Sequence, residues 1–186
     1  MEISTLYSEF LSSDGISIDT RSIIVNQIFF ALPGERVDGN FFALKALEKG
    51  ARLSVVSDRE LAVKNAKCIY FKDTLLALQE LAKWHRKTLN IPIIGITGSV
   101  AKTTTKELVN CVLESRYKTF ATTGNLNNHI GVPLSILSIN KSIEIAVIEM
   151  GANHIGEIEE LCAISMPNHG LITRIGHAHL EGFGSL

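Results

Sequence analysis

The residues most able to do chemistry lie in the run Ile91-Pro92-Ile93-Ile94-Gly95-Ile96-Thr97-Gly98-Ser99-Val100-Ala101-Lys102-Thr103-Thr104-Thr105. An apolar segment short enough for a buried strand gives way to small residues, then to a lysine and threonines, then to an amphipathic helix. That is the layout of a phosphate-binding loop. Successive backbone N–H groups curl around an anion, the helix points its positive end at it, and Lys102 adds a full charge. A hydroxyl from Thr103 or Thr104 can ligate Mg2+. The strict pattern G-x-x-x-x-G-K-[ST] asks for glycine at positions 96 and 101, where this chain has Ile96 and Ala101. The competing reading is an ordinary strand-to-helix turn that happens to hold a lysine.

A carboxylate is expected opposite such a loop. Glu149 stands where the apolar run Ile145-Ala146-Val147-Ile148 stops, a place suited to holding Mg2+ directly or through water. The alternative is a solvated glutamate at a strand end. His177 and His179 follow the last apolar segment and fall on one face of an extended stretch, but no third His or Cys nearby completes a zinc site. No Ser/His/Asp or Cys/His nucleophile arrangement stands out. The chemistry expected is therefore phosphoryl transfer by positioning and charge.

The elements that must carry these groups follow from periodicity. Ile3, Leu6, Tyr7, Phe10 and Leu11 recur at helical spacing, and Asp14-Gly15 turns the chain. Strands are expected at 16–19, 27–32, 53–56 and 68–71, with a helix over 42–49 stopped by Gly50. Asp73 or Thr74 caps a long helix whose apolar face includes His85, read as a packed residue rather than a catalyst. Beyond it, strand and helix alternate: a strand from 91, a helix from Lys102 burying Leu108, Val109, Val112 and Leu113, and an extended stretch at 117–122. A polar loop at 124–131, a helix from Val132, a strand at 144–149, a helix marked by Ile155, Ile158, Leu161 and Cys162, and a strand at 170–173 follow. The fold class expected is α/β: a small N-terminal α/β substrate-binding domain at 1–89, then a partial P-loop-type parallel sheet at 90–186 with helices on both faces. Ligands then gather at the carboxyl ends of the strands.

Composition sets the outer bounds. The chain has 186 residues, 46% hydrophobic and 20% charged, which suits a folded globular protein. A formal net charge of -1 argues against non-specific nucleic-acid binding. Cys68, Cys111 and Cys162 are odd in number and far apart, and read as reduced core thiols. The N-terminus lacks a basic leader and no apolar run reaches membrane-spanning length, so a cytoplasmic protein without membrane insertion is expected.

Several separate stretches, in order along the whole chain, together resemble the Mur ligase family. They are Asp19-Thr20-Arg21, Phe29 to Glu35 with Asp38-Gly39, Gly95 to Ser99 with Lys102-Thr103-Thr104, Thr123 to Asn128 with Ile130 to Pro133, Glu149 to Ala152, and Gly176 to Ser185. The Asn-Leu-Asn-Asn and Gly-His-Ala-His-Leu-Glu-Gly-Phe-Gly-Ser stretches resemble most the branch that joins D-alanyl-D-alanine to UDP-MurNAc-tripeptide in peptidoglycan precursor synthesis. The resemblance implies an ATP-dependent amide ligase acting through an acyl phosphate, with ATP and Mg2+ as cofactors and those two molecules as substrates. It implies that Gly98, Ser99, Val100, Ala101, Lys102, Thr103, Thr104 and Asn128 face the nucleotide, and that Lys102, Glu149 and His179 serve catalysis. Thr103, Glu149 and His179 would hold metal. Asp19, Thr20, Arg21, Gly34, Glu35, Asp38 and Gly39 would face the uridine nucleotide, and Thr123, Asn125 and Asn127 the reacting groups.

The chain departs from the family in places that bear on activity. Val100-Ala101 replace the usual Asn-Gly pair, and if position 101 takes a positive φ, alanine costs about 1–2 kcal/mol there. Arg174 replaces an asparagine, placing a long cation where it can pair with Glu149 or a phosphate. The chain stops at Leu186, where the family continues through more of the ATPase sheet and a C-terminal domain. A chain inactive on its own is therefore expected, with an exposed sheet edge open to oligomers. The alternatives are another Mur ligase of the pathway, such as the one adding the third residue, or a non-catalytic nucleotide-sugar binding module.

Overall fold

The computed structural model describes residues 2–34 and 37–176. It divides into two compact units, the first ending at Leu81 and the second beginning at Ala82. Each is a parallel α/β sheet.

In the first unit, α1 (Ile3–Leu11) is followed by β1 (Ile16–Ser17), β2 (Ile28–Phe30), β3 (Leu53–Val56) and β4 (Cys68–Tyr70), hydrogen-bonded in chain order. Every residue of β2 and β3 is buried, as expected of parallel strands covered on both faces. Phe29 packs with Ala31, Ala43, Ala46, Val56 and Cys68, so the alternation of β2 sends Ile28 and Phe30 to the other face. A 3-10 turn (Gly39–Phe42) leads into α2 (Ala43–Glu48), and Gly50 at φ 96° ends it. A short helix α3 (Arg59–Lys64) is unforeseen from periodicity, yet its start is written in Asp58, whose carboxylate accepts from the N–H groups of Glu60 and Leu61. Helix α4 (Thr74–Thr88) is capped by Asp73, which accepts from Leu76 N at 2.9 Å, while the Thr74 hydroxyl donates to Ala31 O.

The second unit takes up the chain from the last turns of α4. It contains β5 (Ile93–Thr97), α5 (Lys102–Glu114), β6 (Thr119–Ala121), α6 (Gly131–Leu137), β7 (Ile145–Glu149), α7 (Glu157–Ser165) and β8 (His169–Ile172). Strand order is β6-β7-β5-β8, all parallel, so the carboxyl ends lie along one edge. The chain leaves β5 toward β6 on one side and returns through β7 to β8 on the other, which makes the end of β5 a topological switch point. Arg86 is 7% exposed and ties this unit together: it donates to Ser165 O at 2.8 Å, Met166 O at 3.0 Å and Asn168 Oδ1 at 3.1 Å. Asn168 Oδ1 in turn receives Ile93 N, at the start of β5. His85 is buried and bonded to Ile139 O, a packed residue as expected.

Some burial expectations fail. Leu108 and Val112 are 64% and 72% exposed, and the buried residue of α5 is Lys106. The reason is helix phase. With Lys106 facing inward, residues two and six positions on are turned away from the sheet at about 100° per residue. Cys111 is carried outward by the same rotation and is an exposed thiol rather than a core one, while Cys68 is buried and Cys162 partly so. Ile155 is 79% exposed and precedes α7 instead of packing within it.

Candidate functional site

Strand β5 delivers the chain to the loop 98–101. Gly98 has φ 135°, and a Cβ there would collide with the Thr173 side chain and lie 3.0 Å from Arg174 O, so only glycine fits. Ala101 sits in the left-handed region at φ 60°, ψ 17°, immediately before α5. The loop is fastened to the segment after β8. Ser99 N donates to Arg174 O at 2.7 Å, the Ser99 hydroxyl donates to Gly176 O and accepts from Gly176 N, and the Thr173 hydroxyl donates to Val100 O at 2.6 Å. Lys102 Nζ reaches back to Gly98 O at 2.7 Å, which leaves its remaining donors for an anion. Thr103 and Thr104 are exposed on the first turn of α5.

Glu149 ends β7 directly beside β5, in register with Ile96. It is 2% exposed, not the solvated strand-end glutamate of the competing reading. Its backbone N–H donates to Thr122 Oγ1 at 3.0 Å, and Oε1 accepts from Asn127 Nδ2 at 2.9 Å. Oε2 is buried and has no hydrogen-bond partner among the described residues. A buried carboxylate oxygen in that state is short of a positive neighbour or donor. A carboxylate oxygen and the hydroxyls of Thr103 and Thr104 are donors of the hard, oxygen type that Mg2+ prefers. No group of three or more His, Cys, Asp or Glu side chains able to hold a metal occurs among the described residues.

A cavity of about 490 Å³ lies at this edge, lined among others by Lys102, Asn127, Asn128, Asn153, His154 and Glu157. Lys102 and the residue that holds Glu149 therefore face the same space. Asn128 Oδ1 accepts from Ile130 N and Gly131 N at the start of α6, while Thr123 and Asn125 are exposed in the same loop. Asn153, His154 and Glu157 were not among the expected site residues. Glu157 Oε2 accepts from Asn153 N at 2.6 Å and His154 N at 3.1 Å, and these N–H groups hold its carboxyl below the usual carboxylate range. Their signal was position alone: they follow Glu149 at a strand end. Arg174 is exposed and forms no ion pair with Glu149 among the described residues. His177 and His179 lie outside the described residues, as does Glu35.

In the first unit, the Asp19 carboxylate clasps the Arg21 side chain at 2.6 Å and its backbone N–H at 2.8 Å, which holds Asp19 down to about 2. Thr20 is buried, and its carbonyl accepts from Lys49 Nζ. Gly34 is exposed, and a Cβ on Gly39 would strike the backbone of Ala31 and Leu32. Asp38 lines a second cavity, about 560 Å³, with Asn40, Phe41 and Ser57, whereas Asp19, Thr20 and Arg21 do not. Asn40 bonds Ser57 through both ends of its amide, at 2.8 Å and 3.0 Å. These neighbours carry no signal of their own in the sequence: Asn40 and Phe41 lie just before the helix expected at 42–49, and Ser57 just after the strand expected at 53–56.

The sequence matches the family "Mur ligase middle domain" over residues 96–186 and "Mur ligase family, catalytic domain" over 13–89, nearly the whole chain between them. It is 43% identical over 173 residues to the UDP-N-acetylmuramoyl-tripeptide--D-alanyl-D-alanine ligase of Bacillus subtilis, covering 92% of this chain and 38% of that protein. To the Escherichia coli protein of the same name it is 42% identical, covering 95% of this chain and 38% of that one. Among solved structures, MurF from Acinetobacter baumannii superposes with a TM-score of 0.84 at 37% identity, over 91% of this chain and 37% of that chain. MurF ligase from Thermotoga maritima in complex with ADP gives 0.82 at 32% identity, over 92% and 39%. The chain thus spans roughly two fifths of the length of these relatives.

Proposed function

This chain belongs to the Mur ligase family, and we propose that it carries the precursor-binding and phosphate-binding portions of an ATP-dependent ligase that joins D-alanyl-D-alanine to UDP-MurNAc-tripeptide in the cytoplasm. The observation that carries this reading is the buried Glu149 carboxylate with one unpartnered oxygen, held by Asn127 at the cavity that Lys102 lines.

In this reading, residues 90–186 hold ATP and 1–89 hold the uridine nucleotide. Backbone N–H groups of Val100 and Ala101, with Lys102, cradle the β- and γ-phosphates, while the Ser99 N–H stays bonded to Arg174 O and fixes the loop. Glu149 and Thr103 would hold Mg2+, with His179 at a further metal position. Bound Mg2+ neutralises phosphate charge during transfer. A carboxylate oxygen of the tripeptide attacks the γ-phosphorus and ADP leaves. The amine of D-alanyl-D-alanine then attacks the acyl carbon, inorganic phosphate leaves, and an amide remains. Asn127 and Asn128 keep their loop against the reacting groups, and the Asp19 to Arg21 turn and the Asp38 to Gly39 loop face the uridine nucleotide.

The test is phosphate release by the natural gene product that carries this chain, with each substrate omitted in turn. Release requiring ATP, UDP-MurNAc-tripeptide and D-alanyl-D-alanine together supports the ligase. UDP-MurNAc-tripeptide binding lost in Arg21→Ala but kept in Lys102→Ala, without phosphate release, would point instead to a binding module.

A further inference from the structure

Lys106 is unusual in being a lysine that is 1% exposed. It lies one helical turn after Lys102 and so faces the same side of α5. Its ammonium donates to the Thr122 carbonyl and meets the Glu107 carboxylate at 2.9 Å. Glu107 is 63% exposed, so solvent screens most of that attraction. Burying an ammonium for so little return is unfavourable, and a methionine of similar length would fill the space without a charge to desolvate. The lysine is explained by what its donor holds.

Thr122 is also 1% exposed. Its N–H donates to Val147 O at 3.0 Å, and its hydroxyl accepts from the backbone N–H of Glu149 at 3.0 Å. A continuous run of buried bonds therefore leads from α5, through Lys106 and Thr122, to the residue whose Oε2 is unpartnered. We propose that Lys106 is a positioning residue: it locks the helix that follows the phosphate loop to Glu149, fixing the carboxylate's place relative to the phosphates. This role rests on reading the site as one for ATP with Mg2+.

The experiment is calorimetric titration of ATP into the chain in EDTA and again in excess Mg2+, alongside thermal melting. The unsubstituted chain binds more tightly with Mg2+. Lys106→Met keeps its melting temperature and its metal-free affinity, but loses about tenfold or more of the Mg2+-dependent gain, the size of effect typical of a lost outer-shell partner. Thr122→Val keeps the lysine and breaks the bond to Glu149, and shows the same selective loss. A Mg2+-dependent gain unchanged in Thr122→Val, or in a folded Lys106→Met, overturns the proposal. An equal loss with and without Mg2+ makes Lys106 merely structural and overturns it as well. Absence of any ATP binding by the unsubstituted chain instead removes the reading of the site itself, and this role with it.

Discussion

Asn127 donates its side-chain amide to Glu149 at 2.9 Å and engages only one of the two carboxylate oxygens, and the other is buried with no partner among the described residues. In the proposed ligase reading, that second oxygen is the one a metal ion would take. Glu149→Gln keeps an oxygen for Asn127 and removes the buried charge. Its unfolding free energy should stay within about 1 kcal/mol of the parent. Its Mg2+-dependent gain in ATP affinity should fall at least about tenfold. Urea titration and calorimetry on the same sample check both halves.

Ala101 at φ 60° carries the strain anticipated from its type. Ala101→Gly should stabilise the chain by about 1 kcal/mol, read as a higher urea midpoint at unchanged slope. Ala101→Val should lower the midpoint, because a β-branched residue resists the left-handed region more strongly.

His85 gives this fold a pH dependence. Burial pushes its pKa below the ordinary 6.5, against a smaller opposing effect of the bond to Ile139 O. The folded chain therefore binds this proton less readily than the unfolded one. The stability is fully present above pH 6.5 and is lost as pH falls through the lower folded value. His85→Gln should flatten stability measured by denaturant titration between about pH 7 and 5.

Arg86 holds the end of α7 to the start of β5 through a planar set of donors. Arg86→Lys retains the charge but cannot reach the same acceptors, and should cost about 2–3 kcal/mol. Far-UV circular dichroism in urea would show it.

Much of this was legible in the sequence because the signals were local. The apolar run before Gly98 and the threonines after Lys102 name a strand, a loop and a helix start without reference to anything distant. Glu149 was legible for the same reason, as the polar end of an apolar strand. What stayed hidden depended on rotation or on distant contacts. Leu108 and Val112 look like a core stripe until the inward direction of Lys106 sets the phase of α5. Lys106 carries no sequence signal of its burial, since nothing near it in the chain announces Thr122 as its partner. Asn40 and Ser57 are 17 residues apart, and only the parallel pairing of β2 with β3 brings their loops together. The expected family survived these errors because it rested on the strand ends, where backbone topology rather than side-chain phase decides what meets.

The proposed ligase function requires one phosphate and metal site built from the loop of Lys102 and the carboxylate of Glu149. Calorimetric titration of ATP with Mg2+ into the unsubstituted chain, Lys102→Ala and Glu149→Gln tests it most directly. Binding in the first, strong weakening in Lys102→Ala whether or not metal is present, and weakening in Glu149→Gln only when Mg2+ is present are the results expected. Equal affinity in all of them would contradict it.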